Sequence, residues 1–277
     1  MKILLATYSL SERAGSETFV MTMHDRLSKD HDVDVYVSSK GKNTLIDAGS
    51  DPNKHYDLAL INHNVCLNEL RAWHIAKRVF TSHGPSPALE QPIPGADVYV
   101  SVSEEVQKNL QAKGFESRVI RNPINTDHFG LSPVNGQLKN ILFLFNHAFK
   151  PHISPLEKVK KACAGYEFDI LSDFRPDVQE AISWADLVIS AGRGCYEAMS
   201  CGKNVMIVNR PWFDGMVTQE NIFELRKNNC SGRRFDLPGT VEDIKGEFRK
   251  YDPGRNMRPY ILAHNNVDVI VGEYLRL

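Results

Sequence analysis

Apolar residues along this chain fall into short runs separated by amphipathic ones. "KILLATYS", "VDVYVSS", "YDLALINH", "KRVFTSHG", "DVYVSVS" and "SRVIRNP" each have the length and Val/Ile/Leu content of a buried strand. Between several of them lie stretches with helical spacing, such as "SETFVMTMHDRLSKD" and "EEVQKNLQAKG". Nearly continuous apolar runs suit parallel strands covered on both faces, and right-handed crossovers then predict an α/β, doubly wound sheet. After the turn-rich "GLSPVNGQ" (Gly130 to Gln137) the alternation restarts with "NILFLFN", "YEFDILS", "DLVIS" and "VMIV". Two α/β domains are expected, 1–132 and 133–277, hinged near 130–138. The tail from Arg255 to Leu277 reads as helix, with Ile261, Val267, Val271 and Tyr274 available for packing, and its end is expected to return to the first domain.

Composition narrows this picture only slightly. An apolar fraction of 42% with 24% charged residues is that of a globular protein. The 33 basic and 34 acidic residues nearly cancel, so no overall electrostatic pull toward nucleic acid or an anionic bilayer is indicated. Five cysteines, odd in number and without a C-x-x-C, read as reduced thiols in a cytoplasmic protein. No run reaches the roughly 20 apolar residues of a membrane span, and "MKILLATYS" is too soon interrupted for a signal segment.

In a doubly wound sheet, ligands gather at the carboxyl ends of strands, which directs attention to the residues that end the apolar runs. "SAGRGCYEAMSCGKNV" begins at Ser190 as a strand end, turns through Gly192, Arg193 and Gly194, and enters a helix carrying Glu197. Glycines admit backbone N–H groups to an anion, a helix N-terminus adds partial positive charge, and Arg193 adds a full one, an arrangement suited to a diphosphate. The competing reading has Glu197 capping its own helix over a tight turn. "GSE" at Gly15, Ser16 and Glu17 opens the first helix and admits the same pair of readings, an anion or sugar site or a Ser16 cap. His83 and Gly84 end the "TSHG" run, where a histidine serves either chemistry or packing. Asp32 and Asp34 form a literal D-x-D, but they begin a strand, away from its carboxyl end, and alternation explains them as solvent-facing.

Taken together, "MKILLATYS" with "GSE", "TSHG", "VSVSEEVQKNLQAKGFESRVIRNPINTDHF", "NILFLFN" and "ADLVISAGRGCYEAMSCGKNVMIV" resemble the GT-B glycosyltransferases, family 4 of the retaining nucleotide-sugar-dependent enzymes above all. Asn122, Pro123 and Asn125 stand where that family has Asn-Gly-Val-Asp, and Glu197 is similar to its ribose-binding glutamate. The resemblance implies two Rossmann-like domains facing a central cleft. It implies that Ser190, Gly192, Arg193, Gly194 and Glu197 hold a nucleotide-diphosphate sugar, with Asn146 and Lys150 from "NHAFKPH" and Asp214 and Gly215 from "FDGMVTQEN" beside them. Gly15, Ser16, Glu17 and Gly84 fall on the acceptor side, with His83 as the candidate catalytic residue. Transfer with retention is implied, to an acceptor glycan, lipid, protein or small molecule, without a metal or cofactor. One departure stands out: the family's sugar-contacting glutamate, eight residues before Glu197, is replaced by Ile189 in a strand, and "AGRG" is shorter than the usual turn. Alternatives are a nucleotide-sugar epimerase or inverting transferase on the same fold, and a non-catalytic binding protein.

Overall fold

The computed structural model of the chain describes residues 1–11, 15–42, 49–146, 148–150, 154–172, 178–235 and 237–277. It divides into two compact units, Met1–Pro123 with Val267–Leu277, and Ile124–Asn266. The division thus falls ahead of the 132/133 boundary expected from the turn-rich stretch. Its physical basis is that Ile124 and Phe129 are buried in the core of the second unit.

In the first unit, β1 (Lys2–Thr7), α1 (Gly15–Leu27), β2 (Asp32–Val37), β3 (Leu58–Ile61), α2 (Asn64–Glu69), β4 (Arg78–Ser82), β5 (Val98–Ser101), α3 (Glu104–Gln111) and β6 (Arg118–Val119) form an α/β layer structure. The strands make one parallel sheet in the order β2-β1-β3-β4-β5-β6. Continuous apolar runs appear as continuous burial: all four residues of β3 are buried, as are the last five of β1. The strand β2, at the sheet's edge, keeps Asp32 exposed. The chain's last helix, Val267–Leu275, packs Val267, Ile270, Val271 and Tyr274 into this unit's core beside Phe19, and the Tyr274 hydroxyl lies 3.0 Å from that of Thr81.

The second unit holds β7 (Asn140–Leu144), α4 (Leu156–Ala162), β8 (Glu167–Leu171), α5 (Val178–Trp184), β9 (Leu187–Ser190), α6 (Arg193–Ser200), β10 (Asn204–Val208), β11 (Phe213–Met216), α7 (Ile222–Leu225), α8 (Val241–Phe248) and α9 (Arg258–His264). Its sheet runs β11-β10-β9-β7-β8, parallel except for β11. The strand β11 carries an Asp-Gly pair that no strand pattern would include, so periodicity does not show it. The tail expected as one helix is two, α9 and the last helix, interrupted at Asn265 and Asn266 and belonging to different units.

The expected hinge at 130–138 is anchored within the second unit. Buried Asp186 accepts from the backbone N–H groups of Asn135 (2.8 Å), Lys139 (3.0 Å) and Asn140 (2.8 Å). Ser132 N–H donates to the Cys201 carbonyl, and the buried Lys203 ammonium donates to the Pro133 and Ser183 carbonyls. Polar, turn-forming composition here marks a tied-down loop, with its hydrogen-bonding groups met by partners distant in sequence.

Candidate functional site

In each sheet the strand order reverses at one place, and the carboxyl ends of the strands there are where a doubly wound fold offers a crevice. In the second unit that place lies between β7 and β9. The strand ends are joined directly: the Ser190 hydroxyl donates to the Leu144 carbonyl at 2.7 Å. The chain then turns through Gly192, whose φ of 67° and ψ of −132° suit only glycine, and its N–H donates to the Cys230 carbonyl at 2.8 Å. Gly194 is required for a different reason. A Cβ there would lie 2.5 Å from Ser190 Oγ and 3.0 Å from Leu144 Cδ2. One glycine sets the backbone conformation, and the other lets α6 begin against the sheet.

Helix α6 therefore starts at Arg193 directly above the strand reversal, with its first-turn N–H groups directed out of its N-terminus. One turn later stands Glu197. Gly192 precedes the helix without a side-chain cap, and the Glu197 carboxylate accepts from Arg193 Nε at 2.7 Å. The capping reading of Glu197 is thus replaced by an ion pair within the helix. Both side chains are nearly buried, 12% and 9% exposed. Burial raises the Glu197 pKa, and the Arg193 charge and hydrogen bond work against that rise. His128, an exposed residue held at a turn by its N–H donation to Asn125 Oδ1, adds a second favourable charge when protonated.

The other residues expected around a donor fall at several places. Asn146 and Lys150 are exposed in the loop after β7, with His147 and 151–153 of the same segment outside the described residues. Asp214 is buried in β11, and its oxygens accept from the N–H groups of Arg234 (3.2 Å) and Phe235 (2.6 Å). Gly215 has φ 76°, and a Cβ there would meet Glu247 Oε2 at 3.0 Å, the oxygen that accepts from Met216 N–H. In these contacts Asp214 and Gly215 shape the loop. Ile189 is fully buried in β9, so no carboxylate is available at that position.

In the first unit the reversal lies between β1 and β3. Here Tyr8 N–H donates to His63 Nδ1 at 2.9 Å, and desolvation pushes the His63 pKa down to about 4. Beside it, after β4, His83 Nε2 lies 2.8 Å from Asn62 Oδ1, and its ring meets Phe19 edge-on with centroids 4.9 Å apart. Gly84 follows, with Glu90 Oε2 3.2 Å from the position of a Cβ. The Glu90 carboxyl is pushed up to about 7 by burial and then by the Glu17 charge, against a bond from the His83 N–H. Ser16 is inside the first turn of α1, its hydroxyl donating to Glu17 Oε2 at 3.2 Å; it is not the residue preceding the helix. Gly15 is the first residue of α1, and 12–14 lie outside the described residues. The residues singled out from sequence thus include His83, Glu17 and Gly84 but omit Asn62 and Glu90. Asn62 carried a signal, since it follows an apolar run at a strand's carboxyl end; Glu90 carried none.

Asp32 and Asp34 are held by a cation of the protein itself. Lys54 Nζ approaches Asp32 at 3.1 Å and Asp34 at 2.8 Å, and the Tyr56 hydroxyl donates to Asp34 at 2.7 Å. Among the described residues, no group of three or more His, Cys, Asp or Glu is placed to hold a metal. The five cysteines are buried thiols outside any disulfide, and no helix among the described residues is long and apolar enough to cross a membrane.

No protein-family model matches the chain, and no curated protein matches it. Solved structures do. AviGT4, a glycosyltransferase involved in avilamycin A biosynthesis, is similar with a TM-score of 0.58 at 13% identity, over 99% of this chain and 96% of that one. An alpha-glucosyltransferase in complex with UDP and a 13-mer DNA containing a HMU base is similar at 0.58 and 13% identity, over 100% and 98%. The chain has the GT-B fold. A UDP-GlcNAc 2-epimerase from Neisseria meningitidis bound to UDP-GlcNAc shares that fold at a TM-score of 0.52 and 13% identity, over the whole of both chains. The GT-B fold accounts for the two separate sheets, each with its own strand reversal. Because one GT-B neighbour is bound to DNA, the near-zero net charge of this chain does not exclude nucleic acid as a partner.

Proposed function

We propose that the protein transfers a glycosyl unit from a nucleotide-diphosphate sugar to an acceptor hydroxyl. The observation that carries this reading is the turn from Ser190 to Glu197, in which two glycines with separate steric roles bring the N-terminus of an eight-residue helix to the strand reversal of a GT-B unit. The UDP and UDP-sugar ligands of the structural neighbours support a nucleotide donor.

In this reading the first-turn N–H groups of α6 and the cations Arg193 and Lys150 stabilise charge developing on the leaving diphosphate. Glu197, held by Arg193, receives the ribose hydroxyls. With that charge met by the chain, transfer proceeds without a metal, and Lys54 fills the place between Asp32 and Asp34. The first unit supplies the acceptor side through Gly15, Ser16, Glu17, His83 and Gly84. Retention of configuration is the proposed outcome. Protein incubated with a panel of UDP-, GDP-, ADP- and dTDP-sugars should show a thermal shift with one class of donor. A ligand at 100 times its dissociation constant stabilises by about 2.7 kcal/mol. That donor should then yield nucleoside diphosphate and a transferred or free sugar. A nucleotide-linked isomer as the only product would identify an epimerase, and binding without turnover a non-catalytic protein.

A further inference from the structure

Arg193, Glu197 and Ser200 follow one another by a turn each along α6, so the three share one face of the helix. Arg193 stands at the N-terminus, paired with Glu197. Ser200, at the far end of this stripe, is fully buried, and its hydroxyl donates to the Phe129 carbonyl at 2.7 Å. Arg258 of α9 donates to the same carbonyl at 2.8 Å, to that of Ser200 at 2.7 Å and to that of Thr126 at 3.0 Å. The turn from Asn125 to Phe129 is thereby fixed against α6. Within it the Asn125 carbonyl accepts from Phe129 N–H at 2.9 Å, and Phe129 is buried in the core that contains Ala198 and Met199 of that helix. His128 is the residue this turn leaves exposed, its ring edge-on to that of Phe129 with centroids 4.8 Å apart.

The Arg193–Glu197 pair is neutral as a whole, so it adds no net attraction for a diphosphate, and an ionised carboxylate one turn into the helix opposes the partial positive charge of its N-terminus. His128 is close enough to Glu197 for its charge to act on that carboxylate. Among the described residues of the turn, α6 and α9, the other titratable or charged side chains are placed elsewhere or held: Arg258 by backbone carbonyls, His264 against Phe223 and Tyr260, and Asp127 exposed beside His128.

We propose that His128 is the titrating cation of the nucleotide site: as imidazolium it offsets Glu197, leaving Arg193 and the α6 N-terminus a net attraction for the diphosphate of the donor, and its deprotonation weakens that hold. This rests on the glycosyltransferase reading above and adds a pH dependence of donor affinity to it. Histidine is the side chain whose charge ordinarily changes between about pH 5 and 8. An anion favours the protonated form, so affinity is greatest at the acid end of that range and is lost as pH rises.

The probe is UDP, titrated calorimetrically at low ionic strength into wild type, His128→Gln and His128→Lys. Because His128 is exposed, the three proteins should melt alike. At about pH 6 wild type should bind UDP about two- to fivefold more tightly than His128→Gln, the range of an exposed charge interaction, and at about pH 8 the two should agree. Titration of the UDP phosphate itself is common to all three proteins and cancels in these ratios. His128→Lys, a cation at both pH values, should bind more tightly than His128→Gln at both. Equal affinities of wild type and His128→Gln at the acid pH overturn the proposal. So does a deficit in His128→Gln that is as large at the alkaline pH, since it would make His128 a contact independent of charge. If UDP, ADP, GDP and dTDP all fail to bind wild type, the nucleotide reading itself fails and the role of His128 with it; nucleotide binding that ignores His128 overturns this proposal alone.

Discussion

Arg193 and Glu197 stand one helical turn apart in α6, joined by a 2.7 Å hydrogen bond and almost wholly removed from solvent. The pair gives Glu197→Gln two consequences. Loss of a charge-assisted bond to a ribose hydroxyl, worth roughly 1.5–3 kcal/mol, should lower nucleoside diphosphate affinity about tenfold or more. Weakening a nearly buried ion pair should also cost stability on the order of 1–3 kcal/mol. Affinity is therefore the deciding readout: calorimetric titration of a variant that is destabilised yet binds as tightly as wild type would remove Glu197 from the donor site.

The two glycines of the turn should respond differently to the same change. Gly194→Ala places a methyl 2.5 Å from Ser190 Oγ, an overpacking expected to cost about 1–3 kcal/mol. Removing that oxygen with Ser190→Ala should recover part of the loss. Gly192→Ala meets no neighbouring atom but is strained by its φ of 67°, so Ser190→Ala should not rescue it. Denaturant unfolding of the two double-mutant cycles measures both couplings, and equal couplings would refute the distinction.

Asp186 predicts an acid-sensitive loop. Burial raises its pKa, but N–H groups of Asn135, Asn140 and Lys139 more than offset this and hold it below 3.8. A carboxylate with a depressed pKa stabilises the fold above its unfolded value, and that contribution is lost as pH falls through the folded one. Asp186→Asn sets an amide NH2 against several N–H donors and should cost about 1–3 kcal/mol near neutral pH, with the difference from wild type narrowing below pH 3.8. A pH series of unfolding curves tests it; a constant difference would mean the charge does not matter.

Glu90 should act in the opposite sense. Its carboxyl, ordinarily near 4.5, is pushed up to about 7 by burial and by Glu17. The penalty for ionising it is absent below 4.5 and grows as pH rises to about 7. Glu90→Gln should therefore melt higher than wild type at mildly alkaline pH and close to it at acid pH. Melting curves at the two extremes suffice, and a variant less stable at alkaline pH would show that ionised Glu90 is needed by the fold.

Metal dependence offers a direct test of the Asp32–Asp34 assignment. With Lys54 bonded to both carboxylates, turnover should survive chelator, and Asp32→Asn with Asp34→Asn should change activity no more than a few-fold. Activity abolished by chelator and restored by magnesium or manganese would reverse the assignment.

The α/β alternation was legible in the sequence because apolar period and run length are local properties: "LALI" and "LVIS" are buried strands wherever they are placed in a sheet. Gly192 belongs with them, since a backbone at φ 67° calls for glycine whatever surrounds it. What only the tertiary structure decided was which distant groups meet. Gly194 is needed because strand order puts Ser190 Oγ and Leu144 beside it. Gly130 to Gln137 reads as a linker until Asp186 and Lys203 are seen to hold it, and the terminal helical stretch reads as one element until its halves are assigned to separate cores. Asn62 is an ordinary polar strand end until Ala6 and His83 approach its two amide atoms. The reason is common to all four cases: a hydrogen-bonding group, an apolar side chain or a missing Cβ specifies that a partner must be close, while the tertiary fold selects which residue that partner is.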